Sequence, residues 1–244
     1  MIRQFIIVSS LIFLVSAQPA LTGTWRDDFE DGDLDGWATR DIIGVGEFEV
    51  QNGRLSALDR GGASAIWLEA GDWEDYTAEA SVCLVEKLPA DDREMAMVLR
   101  ADMVALNGYW FCLQFAGGKY ASDELQIWKI TGFPNFAKQV AKRYELSEDK
   151  WYRMKCSITG DHLSFYLDNE LHFEIDVAGF TSGTLTLCVC DVHMLIDDIV
   201  ITGDDVPDGG SPVQIEGDVK SGGKLATTWG RMKFHAFTGR KVDE

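Results

Sequence analysis

The sequence predicts an all-β chain folded as a two-sheet antiparallel β-sandwich of the jelly-roll type. Residues 24 to 203 contain many short runs rich in β-branched and aromatic residues, and turn signals such as Asn52-Gly53 and Asn107-Gly108 separate them. No long stretch repeats its apolar residues at helical spacing. Many short strands at this spacing within one domain are typical of a sandwich.

Eight of these runs are predicted as strands because they are short, β-prone and bounded by turn residues. They are Tyr76 to Val85, Met95 to Arg100, Tyr109 to Phe115, Leu125 to Ile130, Trp151 to Ile158, Leu163 to Leu167, Thr184 to Cys190 and Met194 to Thr202. In one of them, Tyr152, Met154, Cys156 and Ile158 share a face, which predicts the side that packs on the core.

The ends of the chain differ from this central region. Arg3, an apolar stretch from Phe5 to Val15 and the small residues up to Ala17 predict a signal peptide over 1–17. The sandwich domain is predicted over 24–203, a linker over 204–223 and a C-terminal tail over 224–244. The protein is therefore expected to be secreted, periplasmic or at the cell surface, and the lack of N-x-Ser/Thr sequons favours a bacterial source.

The charge limits the partners. The 244 residues include 22 Lys and Arg against 40 Asp and Glu, so the net charge is −18. Such a chain repels phosphate backbones and anionic lipid surfaces, which excludes nucleic acid and leaves calcium or a glycan as expected partners. No segment beyond the signal peptide is apolar enough to span a membrane. The oligomeric state is not predicted.

Five cysteines lie inside the predicted strands: Cys83, Cys112, Cys156, Cys188 and Cys190. Their number is odd and their spacing forms no C-x-x-C metal knuckle. The favoured interpretation is five small buried hydrophobes, with a disulfide bridge as the alternative that export would permit.

One acidic loop has the spacing of calcium ligands. Asp31, Asp33 and Asp35 precede Gly36 in a D-x-D-x-D-G pattern, and Ca²⁺ prefers clustered carboxylates on a turning loop. The twelfth position is Ile42 rather than Glu, and no helices flank the loop, so an EF-hand is excluded. The alternative is an acidic loop that is merely solvated.

A sugar-binding face is predicted around Trp110. Trp110 and Gln114 fall on the same face of their strand, and Tyr120 and Trp128 follow closely in sequence. Arg100 ends the preceding strand, where a planar guanidinium can grip hydroxyl groups. The alternative for each aromatic residue is a place in the core.

The order of several motifs is familiar. Along the chain stand Asp27-Asp28-Phe29-Glu30-Asp31-Gly32, Gly36-Trp37, Gly46-Glu47-Phe48-Glu49-Val50, Gly108-Tyr109-Trp110-Phe111, Phe165-Tyr166-Leu167-Asp168-Asn169 and Ile196-Asp197-Asp198-Ile199. This order resembles the concanavalin A-like lectin/glucanase superfamily, also called laminin-G-like jelly rolls. Within it, the chain is similar to bacterial carbohydrate-binding modules and 3-keto-disaccharide hydrolase domains.

The resemblance implies a structural calcium. Jelly-roll carbohydrate modules often hold Ca²⁺ between an N-terminal Phe-Glu-x-Gly segment and a C-terminal Asp. The matching residues in this chain are Asp28, Glu30 and Asp198. The Asp31 to Asp35 loop is the alternative calcium site.

The same resemblance implies no catalytic residue. Glucanases of the superfamily carry E-x-D-x-x-E on a strand, whereas here Glu174 and Asp176 are followed by Gly179 in place of the last Glu. The stretch from Trp110 to Gln114 keeps an amide but lacks the acid expected of a 3-keto-disaccharide hydrolase. Three hypotheses follow: a non-catalytic carbohydrate-binding or adhesion domain, a glycoside hydrolase of the 3-keto-disaccharide type, and a structural cell-surface domain without a sugar ligand.

Overall fold

The computed structural model describes residues 22–69 and 71–210, and these residues form fourteen β-strands and no helix. The strands are β1 (Gly23–Asp27), β2 (Trp37–Val50), β3 (Leu55–Leu68), β4 (Tyr76–Lys87), β5 (Glu94–Asp102), β6 (Asn107–Gln114), β7 (Glu124–Thr131), β8 (Phe136–Arg143), β9 (Trp151–Thr159), β10 (His162–Leu167), β11 (Glu170–Asp176), β12 (Thr184–Cys190), β13 (Val192–Gly203) and β14 (Gly209–Gly210). The predicted all-β jelly-roll sandwich is confirmed.

The strands form two layers that share the β2–β3 hairpin. One layer, the back sheet, runs β11-β10-β9-β4-β13, and the other, the groove sheet, runs β12-β5-β6-β7-β8. Strand β3 joins them because its residues 55–58 pair with β13 and its residues 64–67 pair with β12. Strand β1 pairs antiparallel with β13, and β14 pairs parallel with β1.

The main core lies between the two layers. On β9, Tyr152, Met154, Cys156 and Ile158 are all buried while the residues between them are partly exposed, as the alternation predicts. Across the interface, aromatic side chains interlock: the ring centroids of Phe111 on β6 and Phe165 on β10 lie 5.7 Å apart, edge to face. Such contacts hold the groove sheet at a fixed distance from the back sheet.

The groove sheet packs on the main core with one face and carries a second, smaller buried cluster on the other, and the size of its side chains alternates. Along β5, the large residues Met95 and Met97 pack in the main core, whereas the smaller Ala96 and Val98 belong to a second cluster on the opposite face. We call this opposite face, which points away from the main core, the groove face. Side chains on one face of a strand are two residues apart, so Ala96 and Val98 are neighbours on the groove face of β5. Because both are small, the groove face is lower along this row.

The described part of the domain extends beyond the predicted boundary at residue 203. Val206 is buried and packs on the main core, and Gly209–Gly210 pairs with β1. The predicted signal peptide at 1–17, the rest of the linker and the tail at 224–244 lie outside the described residues. Within residues 22–69 and 71–210, no helix is long and apolar enough to cross a bilayer.

All five cysteines are buried free thiols. Cys156 lies in the main core, whereas Cys112, Cys188 and Cys190 belong to the cluster on the groove face. Ala96 pairs with Cys112 on one side and with Cys188 on the other, so a full strand separates these two thiols. Their positions agree with the interpretation of cysteine as a small hydrophobe.

Candidate functional site: a groove with an acidic end

A groove of about 430 Å³ crosses the groove face. Its middle is lined by Trp110 and Trp128, and Ile42 and Ala63 of the β2–β3 hairpin supply part of the lining. One end is apolar and contains Leu106, Ile130, Phe133 and Phe136; the other end is polar and contains Asp91, Asp92, Glu94, Lys119, Tyr120, Cys190 and Asp191. A concave site with aromatic side chains and a few convergent polar groups is typical of ligand binding.

The two indoles face the groove as a direct cross-strand pair. Trp110 on β6 is opposite Trp128 on β7, and both side chains are partly exposed. The Trp128 Nε1 donates to Gln126 Oε1 at 2.6 Å, and the Gln126 Nε2 donates to Glu124 Oε2 at 2.9 Å. This chain of side-chain hydrogen bonds along β7 fixes the orientation of the Trp128 ring.

A glycine lets the polar end form. Gly118 has a φ of 55°, and a side chain there would collide with the backbone of Ala90 and Asp91. The close approach brings Lys119 Nζ to 2.5 Å from Asp92 Oδ2 and places Tyr120 beside the groove. The second carboxylate oxygen of Asp92, Oδ1, is buried and has no hydrogen-bond partner among the described residues.

Glu94 begins β5 at this polar end. Its Oε1 accepts a weak hydrogen bond from the Cys190 Sγ at 3.7 Å. Burial and the negative charge of Asp92 raise the pKa of the Glu94 carboxyl to about 7. This carboxyl therefore holds its proton to higher pH than an ordinary glutamate does.

Gln114 lies in register between two acids, Glu94 on β5 and Glu124 on β7. The side chain is fully buried, and its Nε2 donates to the backbone oxygen of Arg93 at 2.8 Å. Its Oε1 has no partner among the described residues. Gln114 thus shares the groove face with Trp110, as the spacing predicts, but lies beneath the surface rather than on the lining of the groove.

Arg100 is not brought to the groove. Its side chain is 3% exposed, and its guanidinium donates to the backbone oxygens of Glu74, Gly160 and Phe180 and pairs with Asp75 Oδ1 at 2.9 Å. Each nitrogen of the guanidinium therefore donates a hydrogen bond to a strand end or loop. The expected role of Arg100 in gripping sugar hydroxyls does not match this position, because a β-bulge follows Leu99 and turns the side chain away.

The predicted calcium ligands do not come together on an ion site. Within residues 22–69 and 71–210, no three His, Cys, Asp or Glu side chains form a group that could hold a metal ion. Asp28 Oδ1 accepts from the backbone N–H of Glu30 at 3.3 Å, and Asp198 Oδ2 accepts from Ser81 Oγ at 3.3 Å. These carboxylates therefore serve local turns and a neighbouring strand rather than a shared centre.

The alternative acidic loop behaves in the same way. Asp31 Oδ1 accepts from the backbone N–H of Asp33 at 3.4 Å, and Asp33 Oδ1 accepts from that of Asp35 at 2.9 Å. Such turns satisfy successive N–H groups along a loop. As placed here, the residues do not fit a bound calcium ion, and calcium stays a prediction from the sequence.

A second depression of about 530 Å³ opens beside the loop that follows β5. Arg40 and Trp67 are among its lining residues, and the Arg40 Nη1 donates to the backbone oxygen of Met103 at 2.7 Å. It presents a single indole and no facing aromatic ring among the residues that line it. The groove with paired indoles is therefore the stronger candidate.

Sequence reasoning found Trp110, Trp128 and Tyr120, and the structure places all three along the groove. It missed the acidic end, where Glu94 and Asp92 lie. The available signal was the alternation of large and small residues along β5, in which Glu94 falls on the same face as Ala96 and Val98.

Comparison with known proteins places the fold. No family model matches the chain, and no curated protein matches it. Carbohydrate-binding module CBM66 from Bacillus subtilis has a TM-score of 0.57 at 21% identity, covering 69% of this chain and 96% of that chain. The exoplasmic/lumenal domain of VIP36, in a Ca²⁺/Man3GlcNAc-bound form, has a TM-score of 0.54 at 10% identity, covering 72% and 86% of the two chains.

A GH16 protein of a mixed linkage glucan locus from Bacteroides ovatus, in complex with a product, has a TM-score of 0.53 at 11% identity. The match covers 72% of this chain and 99% of that one. These likenesses show that the chain has the concanavalin A-like lectin/glucanase fold and resembles carbohydrate-binding modules in architecture. Because one fold carries many functions, the likeness in fold does not by itself assign an activity to this chain.

Proposed function

We propose that this protein binds a carbohydrate in the groove and does not cleave it. The observation that carries the proposal is the pair of neighbouring indoles, Trp110 and Trp128, side by side on adjacent strands in a groove whose polar end holds carboxylates. An indole ring packs against the apolar face of a sugar ring and excludes water from it. The carboxylates at the polar end accept hydrogen bonds from sugar hydroxyls.

The affinity is expected to be modest. The groove is a cleft at the surface and not an enclosed cavity, so a glycan leaves part of its surface exposed when bound. Binding also orders a flexible ligand, which opposes association. We therefore expect a Kd on the order of micromolar to millimolar.

The test is binding of the full chain to an array of glycans, followed by titration calorimetry with the best ligand. Trp110→Ala should abolish binding while the far-ultraviolet circular dichroism spectrum and the cooperativity of melting stay unchanged. Trp151→Ala is the matched control because Trp151 is a partly exposed indole on the back sheet, under Arg54. This control should bind like the wild type.

Three results would contradict the proposal. If Trp110→Ala unfolds the protein, the indole belongs to the structural core rather than to a binding face. If Trp110→Ala folds and binds normally, the groove is not the site. If no glycan binds, the remaining hypothesis is a structural cell-surface domain without a sugar ligand.

A second candidate is a glycoside hydrolase of the 3-keto-disaccharide type. The observation in its favour is Glu94, whose pKa is raised by burial and by the nearby Asp92 and so suits a general acid. Incubation of the protein with ordinary and 3-keto disaccharides tests it. If wild type releases reducing sugar and Glu94→Gln does not, cleavage replaces binding as the function.

We also propose that the protein is exported. This proposal rests on the signal peptide predicted over 1–17, which lies outside the described residues. Fractionation of cells that express the full chain, with mass determination of the mature protein, tests it. The expected product begins after Ala17 and is found outside the cytoplasm. A cytoplasmic product that retains the first 17 residues would contradict export.

A further inference from the structure

Hydrogen-bond acceptors and negative charge are in excess at the polar end of the groove. Asp91, Asp92, Glu94 and Asp191 line it, whereas Lys119 is the cationic side chain among the described residues lining the groove. Its ammonium is already engaged, because Lys119 Nζ lies 2.5 Å from Asp92 Oδ2. Lys138 adjoins the lining, and its Nζ lies 3.8 Å from Glu124 Oε2, so this ammonium is paired as well. Among the described residues that line the polar end, four carboxyl groups therefore stand against one ammonium.

Among the described residues, several hydrogen-bond acceptors at the polar end have a weak donor or no donor. The Asp191 Oδ1 receives the backbone N–H of Gly61 at 2.7 Å, and Glu94 receives only the weak thiol donor of Cys190. Two buried oxygens have no partner within the described residues: Asp92 Oδ1 and the Oε1 of the fully buried Gln114. An unpartnered buried acceptor is costly, and a ligand rich in N–H donors would relieve that cost at Asp92, which lines the groove, whereas Gln114 lies beneath the lining.

The aromatic walls are also suited to a cation. The Lys138 Nζ lies 4.7 Å from the ring centroid of Trp128 and 5.6 Å from that of Tyr120, and the Lys119 Nζ lies 5.3 Å from the Tyr120 ring. The faces of these rings thus already attract ammonium groups of the protein itself. A ligand ammonium entering the groove would meet the same electrostatic environment.

We infer that the groove selects a sugar bearing a free, protonated amino group, and this inference rests on the proposed carbohydrate binding. An ammonium offers three donors and no acceptor, and its positive charge offsets the excess of carboxylates. The sugar ring packs against Trp110 and Trp128, while the ammonium points to Asp92 and Glu94. Sugars carrying a carboxylate are rejected because they add negative charge to an acidic site.

The experiment compares four ligands on one ring scaffold: glucosamine, N-acetylglucosamine, glucose and glucuronate, each titrated into the full chain by calorimetry at low and at moderate salt. Glucosamine should bind about 10- to 100-fold more tightly than the two neutral sugars, the range expected for a charge-assisted hydrogen bond. Added salt should reduce this advantage, because screening weakens attraction between charges. Glucuronate should bind most weakly.

Variants assign the selectivity to the acidic end. Asp92→Asn and Glu94→Gln should each lower the preference for glucosamine over N-acetylglucosamine while leaving glucose binding nearly unchanged. Asp205→Asn is the matched control, since Asp205 is exposed in the segment after β13. It changes the net charge by the same amount and should keep the full preference. The salt series on wild type serves as a second measurement if a variant does not fold.

The outcomes separate this inference from the function on which it rests. If the neutral sugars bind as tightly as glucosamine, or if glucuronate binds best, the selectivity is wrong while carbohydrate binding stands. If Asp205→Asn lowers the preference as much as Asp92→Asn, the effect comes from the overall charge and the groove is not its source. If none of the four sugars nor any glycan of the array binds, both proposals fail.

Discussion

Glu94 should make the stability of the fold depend on pH in a way that a single substitution removes. Its pKa of about 7 in the folded protein compares with an ordinary value of 4.5. The difference, 7 − 4.5, corresponds to about 3 kcal/mol of unfolding free energy at most. Because the folded state holds this proton more tightly, the contribution is complete below pH 4.5 and is lost as the pH rises through 7.

Glu94→Gln keeps the shape of the side chain but cannot ionise. Urea unfolding followed by tryptophan fluorescence, at pH 5 and at pH 8.5, gives the unfolding free energy of wild type and variant under both conditions. Relative to the variant, wild type should lose about 2 to 3 kcal/mol between the two pH values. The comparison must be made as a difference, because burial and Asp198 also raise the pKa of Asp197, to about 6, and its contribution has the same sign.

The control is Glu145→Gln, which removes an exposed carboxylate in the segment between β8 and β9. This variant should follow the pH profile of wild type. Equal losses of stability in wild type and Glu94→Gln would refute the reasoning, since they would mean that the Glu94 carboxyl is as well solvated in the folded state as in the unfolded chain.

Two further predictions concern residues outside the groove. Arg100→Met should lower the unfolding free energy by about 2 to 3 kcal/mol, because it removes a buried guanidinium that bridges three backbone oxygens and Asp75. Arg60→Met breaks an exposed pair with Glu47 and should cost less than about 1 kcal/mol by urea unfolding. Similar losses for the two would contradict the structural role of Arg100. The sequence-based calcium prediction requires the Tm to rise with calcium and to fall with EDTA. Identical melting curves in the two conditions would reject it. If the Tm shift persists in Asp198→Ala but disappears in Asp33→Ala, the ion binds the loop from Asp31 to Asp35 instead.

Most interior strands of the sandwich were predictable from sequence, whereas the interior strand β3 and the edge strands were not. The predicted run from Thr184 to Cys190 coincides with β12, and the run from Trp151 to Ile158 ends one residue before β9 does. Strands β1, β2, β3, β8, β11 and β14 are not among the eight predicted runs. All but one residue of β8 is exposed, so the strand carries no hydrophobic alternation, and its pairing with β7 comes from the backbone.

The groove was only partly predictable for a similar reason. A face is a local property, so the two-residue period correctly placed Trp110 and Gln114 on one side of β6. The acidic end is not local: it joins the start of β5, a turn near Lys119 and the residue after β12. Arg100 could not be placed for a different reason. A bulge in β5 changes the direction in which its side chain points, and the amino-acid sequence around it does not indicate the bulge.

Along β5, β6 and β12, successive side chains point to opposite faces of the sheet, so neighbouring residues are under different selective constraints. Met97, Phe111 and Leu187 fill the space between the sheets, while Ala96 and Cys112, the sequence neighbours of Met97 and Phe111, lie in the cluster on the opposite face, against which Trp110 and Trp128 pack. Substitutions in that cluster alter the support beneath Trp110 and Trp128 and leave the packing between the sheets intact. A lineage of such proteins can therefore acquire new ligands by changing alternate residues while the sandwich persists, which is consistent with likenesses of fold at 10–21% identity.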